Sequence, residues 1–137
     1  MKLVVDTNIL FSFFKESSFT HKILFESQFE FFAPEYVFIE LEKYRLTVMQ
    51  KAKITPAQYA RLLKLLSRKV TFVKETEYAS FLSRAKLISP DKKDVDFFAL
   101  ALSLKCPLWT LDKELQKQST VLILTTADIV EGTFTKI

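Results

Sequence analysis

Asp6 follows the apolar run Leu3-Val4-Val5, Asp112 follows Leu108-Trp109-Thr110-Leu111, and Asp94 stands where an apolar helical pattern begins. If the two runs are parallel strands of one sheet, their carboxyl ends open onto a common edge, where open α/β folds bind ligands. Carboxylates brought together there repel one another unless a cation lies between them. The chemistry open to such a set is that of a divalent metal, which lowers the pKa of a bound water and offsets charge developing on a phosphorus centre. No histidine base is required, and the single histidine, His21, falls in an expected surface helix with no chemical part.

Taken one at a time, the acids have a plainer explanation. Asp6 and Asp112 suit N-caps of the helices that follow them, and Asp94 suits a first turn, where the helix dipole favours negative charge. Asp91 is a better cap than Asp94. The two explanations share an address, because helix N-termini that follow parallel strands lie on one sheet edge, so a set of caps would already be neighbours. Glu40 favours the joint reading. It falls inside a helix beside the apolar stripe of Val37, Leu41 and Tyr44, so it should be partly buried. An isolated semi-buried glutamate is costly, whereas one that ligates a metal is not. Glu35 and Glu42 should face water.

The elements that must position these residues alternate between strand and helix. Lys2 to Val5 reads as a buried strand, and Ile9 to Lys15 as a helix capped by Asp6 or Thr7. A second helix should start after Ser17-Ser18 and run through Phe25, with a second strand over Phe29 to Phe32. Pro34 suits the first turn of a third helix, whose Val37, Leu41, Tyr44 and Val48 form one inward stripe. Thr55-Pro56-Ala57-Gln58 caps a fourth helix to Leu66, with Tyr59, Leu62, Leu63 and Leu66 inward. Val70 to Val73 is a third strand, followed by a helix from Thr76 to about Leu87. Ser89-Pro90-Asp91 opens the helix that buries Val95, Phe98, Ala99 and Leu102 and runs to about Lys105. Leu108 to Thr110 and Thr120 to Leu124 are strands separated by a short helix from Lys113 to Gln118, and a last helical turn covers Thr125 to Val130. Alternation of this kind predicts a parallel sheet between helices.

A chain of 137 residues, 49% hydrophobic, can bury one substantial core, so one domain is expected over 1–137. No apolar run approaches the roughly 18 residues that cross a bilayer, and Asp6 interrupts any secretory leader, so a cytoplasmic protein without membrane contact is expected. The single cysteine, Cys106, excludes an intrachain disulfide and Cys-rich zinc sites, and suits a small buried hydrophobe. The single glycine, Gly132, removes glycine-rich phosphate and dinucleotide loops. A net charge of +4 coexists with the proposed acidic pocket. A basic rim around a metal site suits a phosphodiester, whose backbone needs cations for affinity. Lys43, Arg45, Lys51 and Lys53, with Arg61, Lys64, Arg68 and Lys69, cluster on the third and fourth helices; a solvated surface face is the competing reading. Fourteen phenylalanines exceed what so small a core needs and point to a dimer surface.

Val5-Asp6-Thr7-Asn8-Ile9-Leu10, Glu40 in a helix after the second strand, Asp94-Val95-Asp96-Phe97-Phe98-Ala99-Leu100-Ala101-Leu102 and Leu108-Trp109-Thr110-Leu111-Asp112 together resemble the PIN domain family, in order, over most of the chain. The resemblance implies a three-layer α/β/α sandwich with a central, mainly parallel sheet of four or five strands. It also implies a metal-dependent nuclease, commonly a VapC-type toxin ribonuclease acting on RNA. On that basis Asp6, Glu40, Asp94 and Asp112 bind Mg²⁺ or Mn²⁺, with Asn8 and Thr110 in supporting polar positions. Asp91 and Asp96 compete for the third place. The spacing from Asp94 to Ala101 and Asp112 follows the family pattern, while Asp96 lies roughly 200° round the helix. Family habit further implies a homodimer and, for a toxin, an antitoxin partner. A non-catalytic interaction module on the same fold is the alternative. A haloacid-dehalogenase-type phosphatase would want an acid where Asn8 stands, and a phosphoacceptor receiver would want paired acids at the first strand end.

Overall fold

The computed structural model describes residues 1–15, 18–26 and 28–132, without the Glu26 side chain. Among them five strands, β1 (Lys2–Val5), β2 (Glu30–Pro34), β3 (Val70–Val73), β4 (Leu108–Trp109) and β5 (Ile123–Leu124), form one sheet in the order β3-β2-β1-β4-β5. Every pairing is parallel. Consecutive residues Leu3, Val4 and Val5 are all fully buried, which requires cover on both faces of the central strand. Helices supply it, giving the α/β/α layering expected. The chain moves outward from β1 to β2 and β3, then crosses back to lay β4 on the other side of β1. That reversal leaves a crevice outside the carboxyl ends of β1 and β4.

The helices are α1 (Thr7–Phe13), α2 (Phe19–Glu26), α3 (Glu35–Lys43), α4 (Arg45–Ala52), α5 (Pro56–Lys69), α6 (Glu75–Tyr78), α7 (Leu82–Ile88), α8 (Val95–Leu104) and α9 (Thr126–Glu131). Thr55 and Gln58 form a full capping box at α5, as their spacing predicts, and that helix runs to Lys69 rather than Leu66. Pro34 closes β2 and stands at the N-cap of α3 rather than in its first turn. Ser17, part of the expected start of α2, lies outside the described residues.

Two expected helices are broken. The third ends at Lys43, and Tyr44 takes a non-helical conformation, φ −100° and ψ 21°, before α4 begins. The break resets the helical phase: Val37, Leu41 and Val48 remain buried, but Tyr44 is 45% exposed and leaves the inward stripe. The helix expected from Thr76 is likewise split by a 3₁₀ turn over Ala79–Phe81. α8 is more central than its stripe implies, because Phe97, Leu100 and Ala101 are buried as well as Val95, Phe98 and Ala99, while Leu102 is only partly covered. His21 is partly buried rather than freely exposed. It stacks between Phe13 and Phe25, with ring centroids 4.7 and 5.4 Å away, and its Nδ1 lies 2.8 Å from the Phe13 carbonyl. Cys106 is half-buried, and burial pushes its thiol up to about 11, as suits an inert side chain.

With one glycine in the chain, lysines occupy the left-handed residues that end α4 and α8: Lys53 at φ 57° and Lys105 at φ 55°. A Cβ makes this conformation costly. Lys105→Gly should therefore raise unfolding stability by about 0.5–1 kcal/mol, read as a higher urea midpoint at unchanged slope.

Candidate active site

Asp6 leaves the end of β1 and is 5% exposed. Its Oδ1 accepts the Ile9 N–H at 3.0 Å, capping α1, and its Oδ2 accepts a hydrogen bond from the Thr110 hydroxyl beyond the end of β4. The Thr110 oxygen in turn accepts the Asp112 N–H at 3.0 Å. One hydroxyl thus ties the two strand ends across the crevice and fixes the Asp6 rotamer.

Asp94 occupies the N-cap position of α8, but its side chain makes no capping bond. Asp91 carries the local cap instead, accepting the Lys93 N–H at 2.9 Å. The half-buried Asp94 carboxylate is left to face a cleft of about 440 Å³ that Asp6, Asn8 and Glu40 also line. Glu40 reaches it from α3 as a half-buried residue, while Glu35 and Glu42 face solvent. Three distant acids and Asn8 therefore share one cavity at the sheet edge.

Asp112 stands apart. It is exposed, does not line this cavity, and its Oδ1 accepts the Glu114 N–H at 3.0 Å, so it caps the 3₁₀ turn Lys113–Lys117. Its charge still reaches both Asp6 and Asp94. Asp96 points elsewhere, accepting the hydroxyl of buried Tyr78 at 2.6 Å.

The family model of the PIN domain matches residues 4–129. The chain belongs to the PIN domain family. This PIN domain is also similar in fold to a chain in the crystal structure of VapBC2 from Rickettsia felis bound to a DNA fragment from their promoter. The TM-score is 0.62 at 14% identity, and the match covers 91% of this chain and 98% of that one. No curated protein matches.

The cleft of this PIN domain is also lined by Thr7, Tyr36, Lys93 and Phe97, none of which sequence reasoning selected. Tyr36 and Phe97 carry a signal in retrospect, lying one helical turn before Glu40 and three residues after Asp94. Lys43, Arg45, Lys51 and Lys53 are exposed and stand outside this cleft. Lys51 lines a separate groove of about 440 Å³ with Phe11, Tyr44 and Val48.

Among the described residues, no three His, Cys, Asp or Glu side chains are gathered closely enough to hold a metal ion. The donor chemistry nevertheless suits a hard dication. Mg²⁺ takes one or two carboxylates directly and keeps several waters, and Asp6 with Asp94 offers such a pair. Their electrostatics point the same way. Burial raises the Asp6 pKa, and Asp112 adds to the rise, against hydrogen bonds from Thr110 and the Ile9 and Asn8 backbone. Asp94 is pushed up to about 6, first by burial, then by Asp6, Asp91 and Asp112, against Lys93.

A carboxyl whose pKa is raised on folding stabilises the fold only while protonated. The Asp94 contribution is complete below its ordinary pKa of 3.8 and is lost as pH rises through about 6. With chelator present, Asp94→Asn should melt a few degrees higher than wild type above pH 6, an advantage that disappears below pH 3.8. Added Mn²⁺ should stabilise wild type but not the variant. Parallel melting curves across that pH range would refute the repulsive cluster.

Proposed function

We propose that this PIN domain protein is a Mg²⁺- or Mn²⁺-dependent endoribonuclease that hydrolyses RNA phosphodiester bonds, of the VapC toxin type. The observation that carries the reading is the convergence of Asp6, Glu40 and Asp94 on one cleft at the crossover of the sheet. Family membership supports a nuclease. Asp6 and Asp94 would hold the ion directly and Glu40 would act through water, with Asp112 contributing charge from the rim. When bound, the ion would supply Lewis-acid stabilisation of the charge that develops at phosphorus. Thr110 holds Asp6 in one orientation, so the site needs little reorganisation. Asn8 offers a neutral amide to the same cleft.

An antitoxin protein is the proposed partner, in keeping with the VapBC2 structure, one chain of which this fold resembles. A homodimer is proposed as well, supported by the exposed apolar side chains of Ile39 on α3 and Leu46 on α4. No described helix is long and apolar enough to cross a membrane, and a cytoplasmic location is proposed.

Incubation with a mixed RNA pool and Mn²⁺ should give chelator-sensitive cleavage by wild type and none by Asp6→Asn, with the variant's thermal stability in chelator equal or higher. Cleavage retained by Asp6→Asn would remove this cleft from the reaction. The placement of Asp112 as a turn cap favours a second reading, a non-catalytic interaction module. Absence of any heat on Mn²⁺ titration of wild type would decide for it.

Lys43, Arg45, Lys51 and Lys53 are proposed as a phosphate track along α3 and α4. If they bind backbone phosphates, affinity for single-stranded RNA falls steeply with salt, and each lost contact reduces the log–log slope by about 0.7. Lys51→Ala should show that reduction in fluorescence anisotropy titrations. An unchanged slope would leave Lys51 as a solvated surface group.

A further inference from the structure

The acid cleft contains a hydroxyl that the metal chemistry leaves unused. Tyr36, in the first turn of α3, lines the cavity with Asp6, Glu40 and Asp94. Its ring meets that of Phe97 edge to face, with centroids 6.1 Å apart and planes at 67°, and Phe97 is itself almost fully buried. The ring therefore stands against a fixed wall. The hydroxyls of Tyr59 and Tyr78 are committed to the fold, donating to the Leu41 carbonyl and to Asp96, each at 2.6 Å. Among the described residues, the Tyr36 hydroxyl makes no hydrogen bond.

A phosphodiester entering this cleft meets carboxylates that repel it. A lysine buried among them, unlike the exposed Lys93, would pair with the carboxylates and compete with a cation for their oxygens. A phenol adds a donor without adding charge. Burial first, then Asp96, Glu40, Asp94 and Asp6, raise the Tyr36 pKa, so the donor is retained throughout the physiological range. Lys93, exposed at the same cleft, is the one cation among the described residues that line it.

We propose that Tyr36 is a substrate-binding residue whose hydroxyl donates a hydrogen bond to a non-bridging phosphate oxygen of an RNA strand drawn into the cleft. The inference rests on the nuclease reading above. It assigns Tyr36 to substrate affinity, separate from the acids that would hold the ion.

The test compares wild type, Tyr36→Phe and Tyr36→Phe in an Asp6→Asn background, using a short single-stranded RNA that wild type cleaves with Mn²⁺. Phenylalanine keeps the ring and its contact with Phe97, and an unchanged melting temperature checks the fold. Loss of one hydrogen bond to a charged oxygen should raise KM about tenfold or more with kcat nearly unchanged. In the inactive background the substitution should weaken RNA binding by a similar factor, while the Mn²⁺ titration of Tyr36→Phe stays as in wild type. Unchanged KM and RNA affinity would overturn the assignment while leaving the nuclease reading intact, as would a loss explained by weaker Mn²⁺ binding. Failure of wild type to cleave RNA at all would overturn the nuclease reading itself, and this inference with it.

Discussion

Like charges held together at the crossover of a parallel sheet are the constraint around which this molecule is organised. β1 and β4 lie side by side although more than a hundred residues separate Asp6 from Thr110 in the chain, and their carboxyl ends deliver these two residues into direct contact. Asp94 arrives from the start of α8 and Glu40 from α3. Burial and repulsion from neighbouring carboxylates, Asp112 among them, favour the neutral forms of Asp6 and Asp94, so this edge of the fold is less stable at neutral pH than it would be without them. A sequence selected for stability alone would place other side chains here. Carboxyl groups perturbed by burial and by like charges concentrate at functional sites.

The rest of the structure makes that placement rigid. α8 is buried around most of its circumference, which fixes its first residue against the end of the sheet. Asp91 performs the local capping and so leaves the Asp94 carboxylate uncommitted. Thr110 performs a corresponding service across the crevice, donating a hydrogen bond to Asp6 and accepting the Asp112 N–H. Capping and convergence are thus divided between neighbouring residues at α8, whereas at α1 a single carboxylate does both: Asp6 caps the helix with one oxygen and meets Thr110 with the other.

Much of this was legible before any coordinates. Strand runs of hydrophobic residues, the Thr55 to Gln58 capping box and the helical pattern from Val95 onward each reflect short-range physics and each forms, though β2 is shifted to Glu30–Pro34 and β5 shortened to Ile123–Leu124. The break at Tyr44 was not legible. The apolar spacing runs through it without interruption, and neither glycine nor proline marks it. The solvent exposure of Tyr44 and the central burial of α8 depend on which elements pack above them, and apolar spacing along one element carries no such information. The same holds for His21, whose place between two phenylalanine rings comes from contact between α1 and α2.

By itself, then, the sequence determined the alternation of strands and helices, the family to which the chain belongs, and the acids worth watching, because these depend on residue types and their spacing along a local element. Tertiary structure alone decided which acids share a cavity. It brought Asp6, Glu40 and Asp94 to one cleft, left the locally capping Asp112 outside it, turned Asp96 to Tyr78, and introduced Tyr36, Lys93 and Phe97 as neighbours. The physical reason is that burial, and every hydrogen-bond donor other than a carboxylate's own local cap, are supplied by segments remote in the chain.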